Sequence, residues 1–179
     1  MNGMNGGPAS AAPLPASAQR VQQALAAAGL DAQIVELTVA ARTAQQAADA
    51  LGIDVAQIAK SLIFRAAESG RAVLVIAAGD RRVSEARIAA LLGEPIERAQ
   101  PDFVREHAGF AIGGVAPLAH AQPMTTFVDD SLWRFDTVWA AGGTPHCVFP
   151  IAPDELLRVS GGRREPIDGG PSQDAASAR

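Results

Sequence analysis

Two short apolar runs, Ser61–Ala66 and Ala72–Ala77, are separated only by Ala67-Glu68-Ser69-Gly70-Arg71, and they leave this chain few ways to fold. Each run has the length of a strand, and a five-residue link containing glycine joins adjacent antiparallel strands. The spacing predicts a β-hairpin around which the remaining elements must pack. Upstream, Val21, Ala24, Leu25 and Ala28 recur at helical spacing before Gly29. Gln33 to Leu37 reads as a strand. Thr43-Ala44-Gln45-Gln46 has the form of a capping box, with Gly52 at the far end of its helix. Asp54-Val55-Ala56-Gln57 repeats that pattern and predicts a short helix running into Lys60.

Downstream, Ser84 caps a helix carrying Ile88, Leu91 and Leu92 that ends at Gly93, and Pro101-Asp102 opens another that stops near Gly109. Thr125–Val128, Thr137–Ala141 and His146–Phe149 are strand candidates. Pro153-Asp154-Glu155 starts a last helix, with proline in the first turn and acids at the positive end of the dipole. Strand and helix do not alternate regularly enough for a doubly wound parallel sheet. The expectation is a single α+β domain over residues 18–163, a curved, barrel-like mixed sheet surrounded by helices. Residues 1–17 and 164–179 are polar or small and are expected to be disordered tails.

Charge and cysteine content narrow the function classes. The net charge is −4, and residues 18–162 hold twelve basic against sixteen acidic side chains. Such a domain lacks the field of a protein that wraps duplex DNA. Arg81, Arg82 and Arg87 form a local basic group able to meet an RNA end, or simply a solvated face. No apolar stretch reaches the length of a membrane span, and the N-terminal residues lack the pattern of a secretory signal. One cysteine, Cys147, excludes an internal disulfide and fits a reducing cytoplasm. Three scattered histidines and no Cys-x-x-Cys predict neither a metal site nor a cofactor. His146 and Cys147 adjoin on a predicted strand and therefore face opposite ways, which rules them out as a base and its nucleophile.

Lysine usage singles out one position. Fourteen arginines accompany a single lysine, Lys60, in Gln57-Ile58-Ala59-Lys60-Ser61-Leu62-Ile63-Phe64. An ammonium is a compact charge suited to a phosphate or a carbonyl oxygen, and it equally suits the end of a helix. Two glycine pairs follow. Gly113-Gly114-Val115-Ala116-Pro117 offers successive N–H groups to an oxyanion or makes an ordinary tight turn; Gly142-Gly143-Thr144-Pro145-His146 links two strand candidates.

In order and spacing, these three segments, the last extended back to Trp139, resemble the YbaK and prolyl-tRNA-synthetase-associated editing-domain family, the free-standing aminoacyl-tRNA deacylases. The resemblance covers about Arg20 to Gly162. It implies hydrolysis, in trans, of the ester joining a wrong small amino acid to the terminal ribose of a tRNA, without metal or cofactor. It assigns catalysis to Lys60 and Gly113. Ser61, Gly114, Val115, Pro117, Gly143, Thr144 and His146 become candidate substrate-binding residues, His146 matching only some branches. The implied partners are the acceptor end of an aminoacyl-tRNA and an aminoacyl-tRNA synthetase. The competing expectation is a tRNA- or synthetase-binding module with the same fold and no hydrolysis.

Overall fold

The structure, a computed structural model, describes residues 12–168. The predicted hairpin forms its centre: β2 (Ile58–Ala66) pairs antiparallel with β3 (Ala72–Ala78), Lys60 opposite Ala77. Every residue of β3 is buried. Leu74, Ile76 and Ala78 enter one apolar cluster, and Val73, Val75 and Ala77 another, so the strand has a core on each face.

The other strands extend this pair into a mixed eight-stranded sheet ordered β1 (Val35–Glu36), β7 (Cys147–Ile151), β6 (Val138–Ala141), β2, β3, β5 (Thr125–Asp129), β8 (Arg163–Glu165), with β4 (Ile96–Arg98) also on β2. Helices α1 (Ala16–Ala27), α4 (Pro101–Ala108) and α5 (Pro153–Ser160) bring Val21, Leu25, Val104 and Leu156 to the larger cluster. Ile88 of α3 (Glu85–Leu92) and Ile167 fill the other face, and α2 (Ala44–Leu51) packs Ala47 and Ala48 near Ile58 and Trp139. The α+β architecture with helices around one mixed sheet is therefore as expected. The sheet stays open, with β1 and β8 as its ends.

Local capping chemistry sets most helix ends. Thr43 Oγ1 accepts from Gln46 N, and Gln46 Oε1 accepts from Arg42 N rather than from the cap residue itself. Ser84 Oγ accepts from Arg87 N. Gly52, Gly93 and Gly109 close their helices in the left-handed region.

Three expectations change. Asp54 does cap a helical turn, its carboxylate accepting from Ala56 N, but that turn is a 3-10 segment ending at Gln57. Ile58 and Ala59 pair with Trp139 and Ala140, so Lys60 lies inside a strand and not at a helix end. The N-terminal tail is shorter than expected, since α1 begins at Ala16 and Ala18 is fully buried. The C-terminal boundary also moves: Arg163–Glu165 pairs with Phe127–Asp129, and Ile167 is fully buried. The remaining parts of both predicted tails, 1–11 and 169–179, lie outside the described residues.

Candidate active site

A break in the sheet builds the site. On the edge away from β3, β2 pairs with β6 only at Ile58 and Ala59 and with β4 only at Phe64–Ala66. Between these pairings the edge has no described strand partner. Ile58 O accepts from Gly79 N and Ala66 N donates to Arg71 O, so even-numbered residues of β2 direct their main-chain groups toward β3. Alternation then turns the N–H and C=O of Ser61 and Ile63 into the gap.

The gap opens into a cleft of two lobes, of about 380 Å³ and 270 Å³. Lys60, Ser61, Leu62, Ile112, Gly113 and Val115 line both lobes and form their junction. The larger lobe adds Arg82, Glu85, Arg98 and Val104. The smaller is mostly apolar, with Ala44 and Ala47 of α2, Ile58, Trp139, Ala140 and Cys147 in its wall and Arg42 at its side. Small residues on α2 leave this volume open.

Lys60 is half-buried and makes no ion pair within 4.0 Å of a described carboxylate. Burial lowers its pKa from the ordinary lysine value of 10.5, and the fields of Asp129 and Asp80 partly restore it. Both acids are held in place. Asp129, 2 % exposed, accepts from Ala78 N and Ser131 N at 2.9 Å each. Arg134 grips Asp80 through two hydrogen bonds of 2.8 and 3.0 Å, which hold its carboxyl below the usual range. Ser61 Oγ is buried without a described hydrogen-bond partner at the lobe junction, which is costly unless a ligand satisfies it.

The glycine loop is shaped by three contacts. Gly113 sits at φ +93°, where a side chain would be strained. Gly114 donates its N–H to Ala111 O at 3.0 Å, leaving the N–H groups of Gly113 and Val115 without described acceptors. The free donors are therefore not successive, since the N–H between them is already used. A Cβ on Gly114 would lie 2.8 Å from Thr144 Cα and 3.0 Å from Gly143 O, so the two glycine-pair loops touch backbone to backbone. His120 Nε2 lies 2.7 Å from Ala116 O, and a carbonyl only accepts, so Nε2 carries the proton. Burial lowers the His120 pKa from 6.5, partly opposed by this bond and reinforced by Arg20.

The structure brings Lys60, Ser61, Gly113, Val115 and Thr144 to the cleft. Gly114, Gly143 and Pro117 sit behind its wall. Gly143, at φ +104°, packs against Ser17 O, where a Cβ would approach to 2.7 Å, and Pro117 is buried in the loop exit. His146 is outside the cleft lining, exposed, with Nδ1 3.4 Å from Leu37 O and its N–H on Thr144 Oγ1. Cys147 is fully buried. The arginine trio also separates: Arg81 pairs with Asp168 and Arg87 donates to Pro166 O, leaving Arg82 alone at the cleft. Sequence reading missed Arg42, Arg98, Ile112 and the α2 alanines Ala44 and Ala47 as residues of the cleft.

The α+β domain thus places one lysine and two main-chain N–H groups without described acceptors in a bilobed cleft. The chain belongs to the aminoacyl-tRNA editing-domain family, whose profile it matches over residues 38–159. Among solved structures it is similar to one described as a candidate trans-editing enzyme for prolyl-tRNA synthetase. That chain is 42 % identical, with TM-score 0.83, over 88 % of this chain and 100 % of that one. A scaffold protein used for computational epitope grafting is 38 % identical, with TM-score 0.81, over 88 % and 99 %. An uncharacterised Bacillus subtilis (strain 168) protein, YwhH, is 35 % identical over 101 residues, which span 56 % of this chain and 64 % of that relative. None of the helices among the described residues is long and apolar enough to cross a membrane.

Proposed function

We propose that the cleft hydrolyses the ester of a mischarged aminoacyl-tRNA carrying a small amino acid, acting in trans on tRNA already released from its synthetase. The observation that carries this reading is the junction of the two lobes, which Lys60, Gly113 and Val115 all line and where the N–H groups of Gly113 and Val115 have no described acceptor. These N–H groups polarise the ester carbonyl, and Lys60 supplies positive charge to the adjoining ribose or phosphate. Water attacks the carbonyl carbon, the carbon–oxygen ester bond breaks, and the ribose oxygen leaves with the proton given up by the water. The substrate's neighbouring ribose hydroxyl can relay that proton. Aminoacyl esters are activated, and a single fixed donor at a developing oxyanion is worth about 2.7–4 kcal/mol, so no side-chain nucleophile is required.

The direct test is deacylation of a panel of Ala-, Ser-, Thr-, Cys- and Pro-charged tRNAs. Turnover of at least one small-residue ester above the no-enzyme rate supports the reading. Tight binding with no hydrolysis across the panel would make the chain a tRNA-binding module instead.

A further inference from the structure

The described arginines divide sharply by whether the protein already uses them. Arg20, Arg65, Arg71, Arg81, Arg87, Arg134, Arg158, Arg163 and Arg164 each hold a carbonyl, a hydroxyl or a carboxylate of this chain. Only Arg42, Arg82, Arg98 and Arg105 have guanidinium groups without a described partner. Three of those four line the cleft, and two of them, Arg82 and Arg98, share the larger lobe with Lys60. Glu85 is the sole acid in that lining, so the lobe is cationic inside a domain whose net charge is −4. In an acidic protein most exposed arginines find carboxylates, so a pair left free on two separate elements is available to an outside anion.

Resting on the deacylase reading above, we propose that the two lobes divide the substrate. The larger lobe takes the 3′-terminal phosphodiesters of the RNA on Arg82 and Arg98, and the smaller apolar lobe takes the amino-acid side chain. Lys60 and the Gly113 loop stand at the junction, where the ester linking the two halves must lie. Arg98 belongs to β4, the strand that bounds the gap in the sheet, and Arg82 to the segment leading into α3. The two guanidinium groups come from separate elements, and both are exposed enough to remain hydrated until the RNA arrives.

The test uses a short single-stranded RNA with alanine amide-linked to its 3′-terminal ribose, which cannot be hydrolysed, and alanyl-adenosine ester, which lacks phosphates. Binding of the RNA is followed by fluorescence anisotropy at several salt concentrations, with the wild type, Arg82→Ala/Arg98→Ala and Arg105→Ala. The double variant should bind the RNA about 10- to 100-fold more weakly, and its slope of log K against log salt should flatten by about 1.4, or about 0.7 for each phosphate no longer neutralised. Its loss of rate on alanyl-adenosine should be far smaller than its loss of RNA affinity, and Arg105→Ala, outside the cleft lining, should change neither readout. Unchanged RNA affinity and slope in the double variant, or no RNA binding by the wild type, overturns the lobe assignment. So does an equal loss on alanyl-adenosine, which would place the arginines in the fold or the chemistry. A wild type that binds the RNA with the expected arginine dependence yet hydrolyses neither alanyl-adenosine nor any charged tRNA of the panel would sink the deacylase reading and leave the lobe assignment standing.

Discussion

At the scale of single residues, Lys60 carries a charge that the fold tolerates at a cost. Its pKa is lowered by burial, so between its folded value and 10.5 the unfolded chain binds more protons and stability rises with pH. Lys60→Met keeps the stem and removes the charge. We expect its melting temperature to equal or exceed that of the wild type while deacylation falls by about 10²–10³-fold. Lys60→Arg should fail as well, because a planar fork does not replace a point charge at the lobe junction. Near-wild-type turnover in either variant would remove Lys60 from the mechanism. The two loop glycines give a second contrast. Gly113→Ala meets only Pro145 Cγ at 3.7 Å, so its penalty is the left-handed backbone, about 1–2 kcal/mol. Gly114→Ala instead drives Thr144 away and should cost about 1–3 kcal/mol together with most activity. Thermal melts and single-turnover rates on both variants check this. Equal behaviour would mean that the contact between the loops does not shape the cleft.

Among the elements, what was legible in the sequence was local. The hairpin followed from its own two runs, and Thr43, Ser84, Gly52, Gly93 and Gly109 announce helix ends through chemistry within a few residues. β4 and β8 were not legible, because Ile96–Arg98 and Arg163–Glu165 are three-residue, mostly charged segments held by partners distant in sequence. Lys60 was misplaced for the same reason: the Asp54 cap is visible locally, whereas the pairing of Ile58 and Ala59 with β6 that stops the helical turn is not. Arg98 escaped notice because having no partner is a property of the folded chain. The stretch Phe110–His120 carries its own prediction. His120 is neutral and donates to Ala116 O, with a pKa below 6.5, so its stabilising contribution is lost as pH falls from 6.5 through the folded value. The melting temperature should drop across that window, and His120→Gln should flatten the drop. An unchanged pH profile in the variant would mean that other groups govern acid stability.

For the whole molecule, the proposed function, with a net charge of −4 and a cleft with free arginines, expects recognition confined to the end of the RNA. Few phosphate contacts give a shallow salt dependence, about −0.7 per contact, so a charged acceptor-stem minihelix should be hydrolysed nearly as well as full-length tRNA. A strong preference for the full tRNA would require a further binding surface or a partner. The central claim is that this chain by itself breaks the aminoacyl ester at the Lys60–Gly113 junction. Its most direct measurement is the single-turnover rate of release of a labelled small amino acid from mischarged tRNA, comparing wild type with Lys60→Met at matched folded fraction. The account predicts release well above the no-enzyme rate by the wild type and a rate close to background for the variant. Equal rates for the two proteins, or no release by a wild type that binds the substrate, would contradict it.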